Sequence, residues 1–113
     1  MPINVVESDI LYLTFNLQTP KQMIQTFNEA FEILKSSKVK MSVLTDYSGV
    51  PVSQEYLEYA MSVGAEVKKY ISKSAIIGLT GLKQVYYQQY EEASTHVMRV
   101  FDTYEEAIAY LKS

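Results

Sequence analysis

Short apolar runs of strand type alternate with helical patterns along the whole chain, and this alternation constrains the fold more than any other feature. Two strand-type runs at residues 3–6 and 10–17 flank a turn-forming triplet, Glu7-Ser8-Asp9. Three further strand-type runs, each followed by a helical pattern, lie at residues 39–45, 74–79 and 97–101. Strands that alternate with helices are joined by right-handed crossovers, which produce a mostly parallel sheet covered by helices. The expected fold is α/β, with about five strands, four helices, the order β-β-α-β-α-β-α-β-α and an antiparallel N-terminal hairpin.

Capping residues mark where the helices begin. Thr19 and Pro20 predict the start of the first helix, because threonine accepts a hydrogen bond from the first turn and proline has no amide to satisfy there. Ser53 is expected to cap the second helix, and Thr103 forms a capping-box pair with Glu106 for the last. The apolar stripes predicted to pack on the sheet are Met23, Phe27, Ala30, Phe31 and Leu34 in the first helix, and Leu57, Ala60, Met61, Gly64, Val67 and Ile71 in the second.

Two details of packing follow from the same patterns. In the second strand Leu11, Leu13, Phe15 and Leu17 alternate with polar residues, so this set is expected to be the more deeply buried face. Gly64 interrupts the second helix, and we expect it to permit close approach of that helix to the sheet.

Composition narrows the function classes. The 113 residues predict a single domain, 1–113, of which 48% are hydrophobic. A net charge of −3 with scattered lysines gives no nucleic-acid surface. The absence of cysteine excludes disulfides, thiolate metal sites and thiol catalysis. No signal sequence or membrane-span pattern is visible, so a cytoplasmic location is the default expectation.

The stretch 39–60 is the best candidate for a functional corner. Its strand ends at Asp46, the chain turns through residues 47–51, and a helix starts behind Ser53. In open α/β sheets, ligands dock at such corners because the carboxyl ends of strands and the amide ends of helices converge there. Loops at 46–53, 80–81 and 101–103 should share one rim of the sheet. The helix starts behind Ser53 and behind Thr80-Gly81 are candidates for weak anion binding through free amides.

Carboxylates at this rim admit two interpretations. Asp46 and Asp102 both lie near the end of a strand, where two carboxylates could act as an acid/base pair in a metal-assisted hydrolase. The favoured interpretation is structural: Asp46 satisfies amides of the turn, and Asp102 assists the Thr103 cap. The single histidine, His96, precedes a strand at the opposite edge and is expected to be a surface or packing residue. We therefore expect no catalytic residue, no metal and no cofactor.

Tyrosine is over-represented, with ten residues and no tryptophan. Tyr86, Tyr87 and Tyr90 crowd the third helix, and Tyr56, Tyr59 and Tyr70 accompany the second. One helix cannot turn all of these rings inward, so some are expected to be exposed or at an interface. A homodimer through the third helix and half-burial against the sheet with the hydroxyls in water both stay open.

Two segments resemble one family. The run Val-Leu-Thr-Asp-Tyr-Ser-Gly-Val at 43–50, followed by a capped helix, resembles the central strand-to-helix corner of STAS domains, the module of sulfate transporters and anti-sigma-factor antagonists. The ending at 98–111, with its Val-Phe pair and Glu-Ala pair, is similar to the close of the sporulation-antagonist-like branch, which is also compared with Sec14 lipid carriers. The order of strands and helices agrees along essentially the whole chain.

The resemblance implies a non-enzymatic binding or regulatory domain working at the corner 46–59. Antagonists of this family carry an Asp-Ser pair that a partner kinase phosphorylates; here Val52 precedes Ser53, which is the nearest candidate for phosphorylation. In this interpretation Asp46, Ser48 and Gly49 form the turn, and Tyr47, Tyr56 and Tyr59 contact a protein partner or a small molecule. The Sec14-like alternative implies a lipid or other apolar metabolite, lined by Tyr56, Tyr59 and Met61.

Overall fold

A computed structural model describes residues 2–50 and 53–113 of the chain. Its strands are β1 (Ile3–Val6), β2 (Ile10–Thr14), β3 (Met41–Asp46), β4 (Ile71–Ile77) and β5 (Arg99–Phe101), and its α-helices are α1 (Pro20–Ser36), α2 (Gln54–Val67), α3 (Leu82–Ser94) and α4 (Tyr104–Lys112). The strands form one sheet in the order β1-β2-β3-β4-β5. Only the β1–β2 pair is antiparallel among these neighbours, and the others are parallel. The predicted α/β fold and element order are therefore confirmed.

The parallel strands end in register at one edge of the sheet. Asp46 is paired with Ile77, and Ile77 is paired with Phe101, so the last residues of β3, β4 and β5 form one row. The loops that follow these strands consequently leave the sheet on the same side. The predicted common rim is confirmed, and we call it the carboxyl rim.

The helices divide unequally between the two faces of the sheet. One face, which we call the cavity face, packs its Leu13 and Val43 side chains in a cluster with buried residues of α1, α2 and α3. The other, the α4 face, packs Ile10 and Leu44 against α4 alone. Alternate residues of a strand point to opposite faces, so each central strand contributes to both clusters.

Side-chain caps fix three of the four helix starts. Thr19 Oγ1 accepts from the Gln22 amide at 3.2 Å, and the Gln22 side chain accepts from the Thr19 amide at 2.8 Å. Ser53 and Thr103 likewise accept from the third amide of α2 and α4, at 3.1 and 3.2 Å. These predicted caps are confirmed. Helix α3 starts after Gly81 without a side-chain cap.

Strand boundaries differ from the sequence patterns where an apolar residue lies outside the sheet. Strand β2 ends at Thr14; Phe15 is fully buried beyond it, but Leu17 is 90% exposed in a left-handed turn with φ of +63°. Val39 and Val97, each 70% exposed, precede β3 and β5 without joining them. Burial of Leu17 as part of a longer strand was therefore a wrong expectation, because the chain must turn there to begin α1.

Gly64 brings two helices together. A β-carbon at this position would lie 2.5 Å from Ser94 Cβ and 3.0 Å from the Tyr90 hydroxyl, both on α3. Such distances are shorter than van der Waals contact, so only glycine allows α2 and α3 to approach this closely. The expectation that Gly64 serves approach to the sheet is corrected: it serves the contact between helices.

Candidate functional site: an apolar cavity beneath three helices

A cavity of about 100 Å³ lies between the cavity face and helices α1, α2 and α3. On this measure a single water needs roughly 10–15 Å³, so the space holds several non-hydrogen atoms. Apolar side chains make most of its wall, among them Leu13, Met23, Phe27, Phe31, Val43, Val50, Leu57, Ala60, Ile76, Leu79 and Met98. An apolar space with a few polar groups is the usual form of a small-molecule site.

Aromatic rings surround the part of the cavity next to the functional corner. Phe15 lies beneath it, with ring centroids 5.2 Å from Tyr47 and 5.0 Å from Tyr56. Phe27 of α1 meets Tyr56 edge to face at 6.2 Å. Ring pairs at these distances attract one another beyond simple burial. They hold the two tyrosines turned inward, with both side chains lining the cavity.

The hydroxyls of Tyr47 and Tyr56 meet inside this aromatic cluster at 3.0 Å. Burial raises the pKa of Tyr47 to about 12 and moves the pKa of Tyr56 well above its ordinary value. Both phenols are therefore protonated at neutral pH. The pair carries two hydroxyl protons for one mutual hydrogen bond, so one proton is left to serve another acceptor.

Lys83 is the charged residue among the described residues that line the cavity. Its Nζ donates to the carbonyl oxygens of Tyr47 at 3.0 Å and Gly78 at 3.4 Å. These bonds tie the first turn of α3 to the loops that follow β3 and β4. They place the ammonium at the carboxyl rim, where the cavity meets the functional corner.

The opposite end of the cavity contains a buried polar group of three residues. His96 is 7% exposed, and its ring nitrogens lie 3.0 Å from Ser74 Oγ and 2.6 Å from the Tyr90 hydroxyl. Burial, assisted by the positive charge of Lys68, lowers the pKa of His96 to about 4. The imidazole is therefore neutral at pH 7. The expected packing role of His96 is confirmed, although the residue also lines the cavity.

The tyrosines of α3 face inward. Tyr90 is buried, and Tyr86 and Tyr87 are partly buried against the cavity face. The Tyr87 hydroxyl lies 2.7 Å from the Met98 carbonyl oxygen and accepts from the Met98 amide at 2.8 Å, which attaches α3 to the chain before β5. These rings do not form an exposed patch, so a homodimer through this helix would have to use other side chains; dimerisation stays a prediction.

Asp46 points away from the cavity. Its Oδ2 accepts from the Tyr12 hydroxyl at 2.7 Å, and Tyr12 packs with the cluster of the α4 face. Its Oδ1 accepts from the Ser48 amide at 2.8 Å, which closes the turn. The favoured structural interpretation of Asp46 is thus what the hydrogen bonds show. Both carboxylate oxygens are already engaged by protein donors.

Other predicted site residues lie on the surface of the rim. Ser48, Gly49, Thr80 and Gly81 are exposed. Tyr59 is partly buried, with its ring edge-on to Phe27 at 5.9 Å and its hydroxyl donating to Asn28. Of the predicted binding residues, the cavity therefore gathers Tyr47, Ser53 and Tyr56. Pro51 and Val52, which the sequence patterns place in the turn, lie outside the described residues.

The two carboxylates of the metal-assisted alternative, Asp46 and Asp102, follow different strands. Asp102 is exposed and follows β5, which is separated from β3 by β4, so the backbones that carry Asp102 and Asp46 are about 10 Å apart. Within residues 2–50 and 53–113, no group of three or more His, Asp or Glu side chains could hold a metal ion.

In the same part of the chain, no helix is long and apolar enough to cross a membrane.

Sequence patterns missed the polar end groups of the cavity, Lys83 and the Ser74–His96 pair. The signal that could have found Lys83 is its spacing from the ring-bearing positions of α3, because Lys83, Tyr86, Tyr87 and Tyr90 share one helical stripe. A lysine in line with inward-facing rings is placed next to the interior. No comparable spacing marks Ser74, which is one of several buried residues of β4.

The fold and the cavity together define a small α/β domain with a mixed five-stranded sheet and an apolar cavity on one face. A solved NMR structure of the protein TM1081 is similar over 98% of this chain and 87% of that chain, with a TM-score of 0.69 and 13% sequence identity. At this identity the likeness shows the fold alone. No family model and no curated protein matches the sequence.

Proposed function

We propose that this chain is a non-enzymatic binding domain that encloses a small apolar molecule between the sheet and helices α1–α3. The observation that supports this proposal is the cavity of about 100 Å³ beneath these helices. From the predicted corner, Tyr47, Ser53 and Tyr56 belong to its lining. This places the proposal closest to the apolar-metabolite function that the Sec14-like resemblance implies.

The direction of the corner side chains favours a small molecule over a protein surface. Tyr47 and Tyr56 have their hydroxyls paired inside an aromatic cluster, where a protein partner would not touch them.

A regulatory function of STAS type is the second candidate, favoured by the exposed turn at Ser48 and Gly49. Gly78 supports this turn, because a β-carbon there would lie 2.3 Å from the Ser48 nitrogen. In that candidate, Ser53 would be the phosphorylated residue.

The proposed cavity function is tested by filling the cavity. Ala60 of α2 is 3% exposed and lines the space, whereas Ala65 of the same helix is exposed. We expect 1-hexanol, titrated into the isotope-labelled protein, to shift methyl NMR resonances of lining residues such as Leu57 and Val43. Ala60→Leu should abolish these shifts because its side chain occupies the space, and Ala65→Leu should leave them intact.

The controls decide between the two candidates. If neither 1-hexanol nor a charged six-carbon analogue shifts a lining methyl group in the unaltered protein, the small-molecule proposal falls and protein recognition at the exposed turn takes its place. If Ala60→Leu binds 1-hexanol as well as Ala65→Leu does, the binding site lies elsewhere. A circular-dichroism spectrum of each variant establishes that the fold is retained.

A further inference from the structure

The charge of Lys83 is not neutralised by any carboxylate. Both of its hydrogen-bond acceptors are neutral carbonyl oxygens. In the described part of the chain, the ion pairs within 4.0 Å use Lys35, Lys69 and Lys112. Asp46 makes no ion pair with Lys83, because its carboxylate is held on the α4 face by Tyr12. A partly buried ammonium without a counter-ion attracts an anion, because charges interact more strongly where water is partly excluded.

Further hydrogen-bond donors lie at the same end of the cavity. Thr45 is 7% exposed and lines the cavity, and its hydroxyl has no hydrogen-bond partner among the described residues. It lies two residues before Tyr47, the carbonyl of which accepts from Lys83. The Tyr47–Tyr56 pair supplies one more proton, for which no acceptor is found among residues 2–50 and 53–113. Among the described residues, no buried side-chain nitrogen or oxygen atom lacks a hydrogen-bond partner. The Thr45 hydroxyl is therefore open to the space of the cavity, where a bound acceptor can reach it.

We propose that the bound molecule is a small monocarboxylic acid, with its carboxylate at Lys83 and Thr45 and its apolar body beneath α1 and α2. This inference rests on the proposed cavity function and specifies the ligand class. One ammonium and neutral donors match the single charge and the acceptor oxygens of a carboxylate. Phosphate esters fit less well, because a second negative charge would be buried among apolar side chains with no second cation in the lining.

The size of the cavity limits the apolar body. An apolar cavity of roughly 150 Å³ accepts benzene in an engineered protein. The space of about 100 Å³ here is of the same order, and Lys83 in its lining provides a position for the polar end. Short-chain and single-ring acids are therefore the expected class, and long acyl chains would extend out of the cavity.

A matched series of probes tests the inference. Hexanoate, 1-hexanol and hexylammonium share a six-carbon chain and differ in charge. Titrations at pH 7, followed by the methyl resonances of Val43 and Leu57, give the affinity of each at the cavity. Because hydrogen bonds to charged groups are stronger than neutral ones, we expect hexanoate to bind about tenfold or more tightly than 1-hexanol, and hexylammonium most weakly.

Lysine variants identify the cause of the preference. Lys83→Met keeps the length of the side chain, removes the charge and should bring hexanoate to the affinity of 1-hexanol, while Lys83→Arg should keep the preference. Lys21→Met, at an exposed position of α1, makes the same change in net charge and should leave the preference unchanged. The net charge of −3 repels anions, so it cannot produce the expected order.

Each contrary result has a separate meaning. Equal binding of hexanoate and 1-hexanol overturns the carboxylate inference and leaves the cavity function standing. A preference that survives Lys83→Met overturns the assigned position of the carboxylate. Failure of all three probes to shift the lining methyl groups overturns both proposals.

Discussion

The two faces of the sheet differ in how closely the helices pack against them. On the α4 face, Ala75 of β4 and Ala107 of α4 are both fully buried, and such small residues allow the helix to lie close to the strands around Leu44. On the cavity face, three helices bring in bulky rings such as Phe27 and Phe31, and a space of about 100 Å³ remains. Protein interiors are normally filled to crystal-like density. The difference supports the proposal that the cavity face is built around a ligand, and it assigns the closer packing to the α4 face.

Two adjacent residues of β4 point to opposite faces of the sheet. Ile76 is 1% exposed and lines the cavity, and Ile77 is 6% exposed and packs against α4. The two residues have the same side chain and nearly the same burial. Substituting each residue in turn therefore compares the contributions of the two faces to the free energy of unfolding, with side-chain type and burial held nearly constant.

The largest expected effect is that of Ile77→Ala. Truncating a buried isoleucine costs about 2–5 kcal/mol, and the cost rises with the volume that the surroundings fail to fill. We expect Ile77→Ala to lose free energy of unfolding near the top of that range, because its neighbours are closely packed. Ile76→Ala should lose less, near the bottom, since part of its surroundings is already empty. Urea unfolding of the two variants measures both values.

The comparison would break if the two substitutions cost the same. Equal losses would mean that the space on the cavity face is closed in solution and that both faces are packed alike. A larger loss at Ile76 would reverse the assignment of the stabilising face.

The second effect is a loss of stability in acid that originates on the cavity face. His96 has a pKa of about 4 in the folded protein, against an ordinary value near 6.5, so the unfolded chain binds the additional proton between these values. The stabilising contribution is complete above pH 6.5 and is lost as the pH falls toward 4. A difference of this size corresponds to roughly 3 kcal/mol. Unfolding free energies measured from pH 7.5 to pH 4 test it.

A glutamine variant separates His96 from the other groups that titrate in acid. His96→Gln keeps hydrogen-bonding capacity toward Ser74 and Tyr90 but has no titration in this range. Lys68, the charged residue that acts on His96, is the same in both proteins. The variant should lose less stability than the unaltered protein between pH 6.5 and 4. Parallel pH curves for the two proteins would contradict a buried neutral histidine.

Local sequence signals predicted the elements of this fold but not the cavity. Thr19, Ser53 and Thr103 marked three helix starts because capping depends on residues within one turn. The order of strands and helices predicted the parallel sheet and its common rim, because crossover rules depend on topology alone. Asp46 was correctly assigned to its turn on the same local grounds.

The remaining features depend on contacts between distant parts of the chain. Gly64 was assigned to the sheet because a glycine within a helix indicates close approach of another element but does not identify that element. The structure identifies it as α3. Tyr86 and Tyr87 were open to either an inner or an outer position, since their direction depends on how α3 is rotated over the sheet. The cavity itself arises because three helices share one face of the sheet and one helix covers the other. No local sequence pattern predicts how the helices are distributed between the two faces.

The smallest expected effect contrasts insertions on the two faces. Ala107→Leu adds three carbon atoms to a fully buried site on the α4 face, where overpacking costs about 1–3 kcal/mol. Ala60→Leu adds the same atoms to the lining of the cavity, where they enter empty space and should change stability by less than about 1 kcal/mol in either direction. Thermal and urea unfolding of the two variants measures the contrast. A costly Ala60→Leu would show that the space does not exist in solution, whereas a neutral one that also abolishes 1-hexanol binding would show that stability and binding use different faces of one sheet.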